Sequence, residues 1–190
     1  MSAEWLVAPG SFLAAGPDLL DPNFTHTVVL ICRHDEEGAY GLVVNRPSDV
    51  LASDVLAAHV GLARSSARMY VGGPVGLESL QVLHRAPEHV QGGEELAPGL
   101  WIGGDLDQLA RYLDEHPAEA EKNVRLLMGY SGWGPGQLEY ELSEFSWLPA
   151  PLDIESVFAT QPSAVWREVV RALGPRFRAM ADEPPDPNLN

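Results

Sequence analysis

The chain has 190 residues, 45% hydrophobic and 21% charged, enough to bury one core and typical of a single globular domain. Its 12 basic residues face 27 acidic ones, and the net charge of −15 repels nucleic-acid phosphates and anionic membrane surfaces alike. No apolar run approaches the ~18 residues of a membrane span, and no basic-then-apolar leader opens the chain, so a cytoplasmic protein is expected.

In chain order, Asp21-Pro22 in "LLDPNF" marks a turn. β-structure is expected from Ser11 to Arg46, where "HTVVLICR" and "AYGLVVNR" are β-branched runs separated by "HDEEG", a loop of hairpin length. His34 and Asp35 open that loop, and Asn45-Arg46 close the returning strand. Cys32, the single cysteine, lies in the first run and is expected as a buried reduced thiol. "ASDVLAAHVG" reads as a short helix capped by Ser53 and stopped at Gly61. "RMYVGG" and "SLQVLHR" read as strands around the turn "GGPVG", and "APEHVQGGEELAPG" as a surface loop.

Leu106, Leu109, Ala110 and Leu113 then share one helical stripe, with Asp105 and Gln108 spaced as a capping box. "VRLLMGY" is a buried-strand pattern. Trp166, Val169, Val170 and Leu173 repeat the helical stripe, with Ser163 as cap and Gly174-Pro175 as stop. The acidic, proline-rich residues 181–190 are expected to be a disordered tail, which leaves residues 1–180 as one α+β domain.

The stretch "GYSGWGPGQLEYEL", Gly129 to Leu142, is a glycine-rich turn feeding a helix that starts near Gly136. Leu138, Leu142 and Phe145 form its expected buried stripe, bordered by Gln137 and Glu141. It lacks the Lys-Ser/Thr pair of a P-loop and the G-x-G-x-x-G spacing of a dinucleotide fold, so no cofactor is expected. Free N–H groups at the helix start favour an anion, while Glu139, Glu141 and Glu144 oppose one. Two readings stand: a structural strand-to-helix turn, or a ligand-contacting loop with a partly exposed Trp133. Ser131 misses the G-x-S-x-G nucleophile elbow because Trp133 replaces the last glycine. His26, His59, His84, His89 and His116 lack ligand spacing, so no metal site is expected.

"DPNFTHTVVLICRHDEEGAYGLVVNRP", then "GGPV", then "GYSGWGPGQLEYEL" followed by Trp147 resembles the AlgH/YqgE family of bacterial proteins, over roughly Gly10 to Gly174. Matching positions include Asp21, Pro22, Phe24, His34, Gly38, Gly41, Asn45, Pro47, Gly72, Gly73, Pro74, Tyr130, Trp133, Gln137, Glu141 and Trp147. The chain departs at His26-Thr27, where the family commonly has a basic residue before Thr or Ser. The resemblance implies a cytoplasmic α+β domain whose mixed, mostly antiparallel sheet curls toward a barrel with helices outside. It implies little chemistry, and its "transcriptional regulator" label comes from a phenotype rather than a DNA-binding mode.

The expected function is therefore a non-enzymatic binding or regulatory protein acting through a protein or small-ligand contact. Its candidate site gathers His34, Asn45, Gly72, Gly73, Pro74, Tyr130, Ser131, Trp133, Gln137 and Glu141 on one side of the domain. One alternative is an enzyme using His34 as acid/base and Glu141 as its carboxylate partner in a shared cleft. The other is a regulator contacting DNA directly, which the acidity and the missing helix-turn-helix pattern oppose.

Overall fold

The β-branched runs pair as their pattern requires. A computed structural model describes residues 7–56 and 62–182. In it β2 (Val28–Asp35) and β3 (Gly38–Val43) form an antiparallel hairpin, with Val29 opposite Val43 and Asp35 opposite Gly38. The turn is tighter than "HDEEG" suggests, because His34 and Asp35 belong to β2 and Asp35 accepts the Glu37 N–H at 2.8 Å. β1 (Phe12–Ala15) lies between β2 and β10 (Trp147–Ala150).

The long strand β9 (Val124–Trp133) joins this layer to the rest. Its C-terminal end pairs with β3, while its N-terminal half pairs with β5 (Arg68–Val71) in parallel and with β6 (Val75–His84) antiparallel. β4 (Pro47–Leu51) edges β5, and the hairpin of β7 (Glu94–Ala97) and β8 (Leu100–Ile102) extends the far side of β6. The path β10-β1-β2-β3-β9-β6-β8-β7 leaves its end strands unpaired with each other. The fold is α+β with a mostly antiparallel, open sheet. Alternation along β9 splits two cores: Leu127 packs with β1–β3 and β10, whereas Val124 and Leu126 pack under the helices α2 (Leu106–Glu115) and α3 (Pro117–Asn123).

Several local expectations change. The stretch expected as a surface loop contains β7, whose glutamates hide its strand character. The first helix, α1 (Ala52–Val55), is capped at Leu51 rather than Ser53, and Gly61 lies outside the described residues. Asp105 does cap α2, accepting the Gln108 N–H at 2.8 Å, but the Gln108 side chain accepts from Gln91 instead of completing the box. After α4 (Gln137–Ser143) and α5 (Ile154–Val157), α6 (Pro162–Ala172) is capped at Gln161, one residue before Pro162, and Ser163 sits inside its first turn. Beyond Gly174 the chain restarts as α7 (Pro175–Asp182), which packs on α6 and buries Ala181. Residues 183–190 of the expected tail lie outside the described residues. Among the described residues no helix is long and apolar enough to cross a membrane.

Candidate functional site

Gly72 and Gly73 owe their identity to a strand crossing. β5 and β6 flank opposite edges of β9, so the chain must change edges within Gly72–Pro74. Gly72 donates to Met128 and accepts from Val43 on the first edge, and by Val75 the chain faces Tyr130 on the second. The backbones touch at the crossing: a Cβ on Gly73 would stand 2.2 Å from the Tyr130 carbonyl carbon, and one on Gly129 (φ +69°) 2.7 Å from the Gly73 oxygen. Ser131, fully buried, donates its hydroxyl to the Gly72 carbonyl at 3.1 Å. Tyr130 packs on Tyr40 with ring centroids 5.1 Å apart, and Pro74 remains exposed. The "GYSGW" part of the motif is thus strand, and the strand-to-helix turn is confined to Gly134-Pro135-Gly136.

Trp133 is core, contrary to the partly exposed contact residue expected. It is 7% exposed, and its indole donates to Glu141 Oε2 at 2.8 Å. Trp147 donates to the same oxygen at 2.8 Å, its ring edge-on to Trp133 with centroids 5.8 Å apart. Gln137 donates to Glu141 Oε1 at 2.9 Å and accepts the Gly134 N–H at 3.0 Å. This network clamps α4 to β9 and β10 and engages both oxygens of Glu141. Phe145, expected on the buried stripe, is 70% exposed because the helix ends before it and its φ turns to +57°.

His34 pairs with Glu139, not Glu141. Its Nε2 lies 2.6 Å from Glu139 Oε1 and its Nδ1 2.8 Å from the Val7 carbonyl. The Val7 carbonyl, then Glu139, raise the His34 pKa, and His34 lowers that of Glu139. Asn45 sits at the opposite end of the hairpin, where it receives the Val28 N–H at 2.8 Å and donates to the His26 carbonyl at 2.9 Å. The expected residues are therefore spread over the β2–β3 hairpin, the β5–β6 crossing, β9 and α4, with His34 and Asn45 at opposite ends of the hairpin. Cys32 is half-buried, and desolvation pushes its thiol up to about 12, which keeps it protonated and unreactive. No three His, Cys, Asp or Glu side chains converge as a metal site among the described residues.

A cleft of about 740 Å³ opens elsewhere, between β4, β5, the N-terminal half of β9, α3 and the start of α6. Its volume falls within the ~300–1,000 Å³ of small-molecule sites, and none of the ten expected site residues lines it. Leu113, Val124 and Leu126 give it an apolar wall, while Ser65, Ser66 and Thr160 supply hydroxyls. Arg125 is its distinctive member, only 6% exposed. Nη1 donates to the carbonyls of Glu121 and Val124, Nη2 to that of Ala159 at 2.7 Å, and the guanidinium lies 4.8 Å over the Tyr70 ring. Nε, buried, has no partner. Burial lowers the Arg125 pKa, the neighbouring Arg85 lowers it further, and Tyr70 and Glu121 oppose both. In the sequence the only hint was an arginine inside the buried-strand pattern "VRLLMGY".

The AlgH-like family profile matches residues 12–178, which takes in every described residue of the cleft and all of both cores except Val7 and Ala181 at the margins. The chain belongs to the AlgH-like family. It is 36% identical over 185 residues to the UPF0301 protein of Chlorobaculum tepidum, covering 97% of each chain. It is 36% identical over 182 residues to that of Chlorobium limicola, covering 96% of this chain and 95% of the relative. Among solved structures it is similar to the AlgH protein from Pseudomonas aeruginosa, with a TM-score of 0.71, 30% identity and 98% of both chains covered. A protein from Corynebacterium diphtheriae superposes with a TM-score of 0.72 at 25% identity, covering 96% of this chain and 100% of that one. The AlgH-like fold therefore runs end to end through these relatives.

Proposed function

We propose that this AlgH-like protein is a non-enzymatic cytoplasmic binding protein that holds a small ligand in the Arg125 cleft. Any regulatory effect then passes through that ligand or a protein partner rather than through DNA. The observation that carries this reading is a ligand-sized cleft walled by apolar side chains, with a buried, incompletely bonded guanidinium at its edge. Among the described residues its lining offers arginine, hydroxyl and one carboxylate, but neither histidine nor cysteine, the side chains suited to moving protons or attacking at neutral pH.

Native mass spectrometry after incubation with a bacterial small-molecule extract tests the reading. The wild type should retain a ligand, and Ala118→Trp, which places a bulky ring on the cleft lining from an exposed helix position, should lose it. Retention by Ala118→Trp would place the ligand elsewhere, and steady consumption of an extract component would restore the enzyme reading.

A protein contact at α4 is the second reading, favoured by Tyr140, 66% exposed on the helix, and Phe145, 70% exposed just past its C-terminal end. A pull-down comparing wild type with Tyr140→Ala/Phe145→Ala tests it, and a partner held equally by both would end it. Trp133→Ala is unsuited to that comparison because Trp133 is core.

A further inference from the structure

We infer that the cleft selects a small organic oxyanion, a carboxylate or phosphate monoester with a compact apolar body, and that Arg125 is the residue that reads its charge. The inference deepens the cleft-binding reading and rests on it. Five N–H bonds radiate from a guanidinium, and three of those on Arg125 go to backbone carbonyls of Glu121, Val124 and Ala159. Of the two N–H bonds left, that of Nε is sealed from solvent, so what the guanidinium offers an oxyanion at the cleft wall is its fixed positive charge and the second proton of Nη2. Four of the groups around this guanidinium (Tyr70, Glu121, Val124, Ala159) themselves line the cleft, so the charge is anchored in the cleft wall.

Three further features point the same way. Arg68 lines the cleft and has no ion-pair partner among the described residues, so among those residues the lining holds two guanidiniums against one carboxylate, Glu121. That is a local excess of positive charge in a chain whose net charge is −15. α6 begins at the lining with Pro162, Thr160 lines it just before the cap, and the cap residue Gln161 makes no side-chain hydrogen bond to the helix. Leu113, Val124 and Leu126 offer the ligand's body an apolar surface. A purely inorganic anion would leave that wall uncovered, and a neutral apolar molecule would leave the donors unanswered.

Amide chemical-shift titrations with phenyl phosphate, 3-phenylpropionate and the neutral 3-phenylpropanamide test the inference. At least one anion should shift amides at residues 65–68, 124–126 and 160, and should bind about tenfold or more tighter than the amide. The two anions also separate a phosphate head from a carboxylate head. Arg125→Lys, which keeps a charge but loses the three carbonyl bonds that fix the guanidinium at the wall, should weaken the better anion about tenfold. Because Arg125 also ties backbone together, the exposed Arg68→Gln serves as a second variant that cannot fail through the core, and it should weaken the same anion several-fold. Equal affinity for the neutral amide, in the same residues, would overturn anion selection while leaving a ligand cleft. Anion-induced shifts confined to other parts of the surface, or no shifts with any probe, would overturn the inference itself, whatever the extract experiment retains.

Discussion

The indole of Trp133 donates to Glu141 across 2.8 Å, and with that bond a residue that looked like a loop-tip contact becomes part of the core. Trp147 meets the same carboxylate oxygen, so one side chain of α4 satisfies two indole donors. Glu141→Ala should orphan both and cost about 2–4 kcal/mol, whereas Glu141→Gln, which keeps an acceptor, should cost less. Urea denaturation of the two variants checks this. A loss below ~0.5 kcal/mol in Glu141→Ala would show that the indoles find other acceptors.

Trp133→Ala should lower stability by about 3–5 kcal/mol through the cavity it leaves between β9, α4 and Trp147. Thermal or chemical melts report the loss, and a near-wild-type melt would return Trp133 to the surface.

The glycines should separate into classes. Gly73→Ala places a methyl 2.2 Å from Tyr130 backbone at the strand crossing, and should prevent stable folding. Gly136→Ala has open space around it but a φ of +73°, so its cost should be about 1 kcal/mol. Gly134→Ala has neither constraint and should lie within about 0.5 kcal/mol of wild type. Comparable losses at all three would refute the crossing as the reason for the motif.

The His34–Glu139 pair gives a pH dependence of definite sign. His34 has a raised pKa, so its contribution is complete below its ordinary 6.5 and disappears as pH rises through the raised value. Glu139 has a lowered one, so its contribution is complete above its ordinary 4.5 and disappears as pH falls through the lowered value. The pair therefore helps most between those two ordinary values. Glu139 is largely solvent-exposed, which limits the effect to under ~1 kcal/mol. The stability gap between wild type and His34→Gln should narrow from pH 5.5 to pH 8.5, and a constant gap would show that the pair does not titrate with folding.

Direct binding to duplex DNA should be absent at physiological salt. The net charge of −15 repels the duplex overall, and any binding seen at low salt should vanish steeply as ions are added. A sequence-selective gel shift surviving ~150 mM salt would establish the DNA-contacting alternative.

The sequence by itself determined the parts whose physics is local. β-branched alternation specified the β2–β3 hairpin, Asp105 specified the start of α2, and helical periodicity put Trp166, Val169 and Val170 inside. The three motifs also carried the family. Tertiary structure decided everything that depended on which edges meet. That β5 and β6 flank β9 is a long-range pairing, and only that pairing explains why Gly72, Gly73 and Gly129 must lack side chains. Whether His34 faced Glu139 or Glu141 depended on the rotation of α4 against the sheet, which two glutamates only two residues apart leave open in sequence. The cleft was least legible of all. Its lining runs from Pro47 to Pro162, contributed by strands and helix ends whose spacing has no period, and a buried arginine reads in sequence like any strand-end charge until carbonyls from Glu121, Val124 and Ala159 close around it.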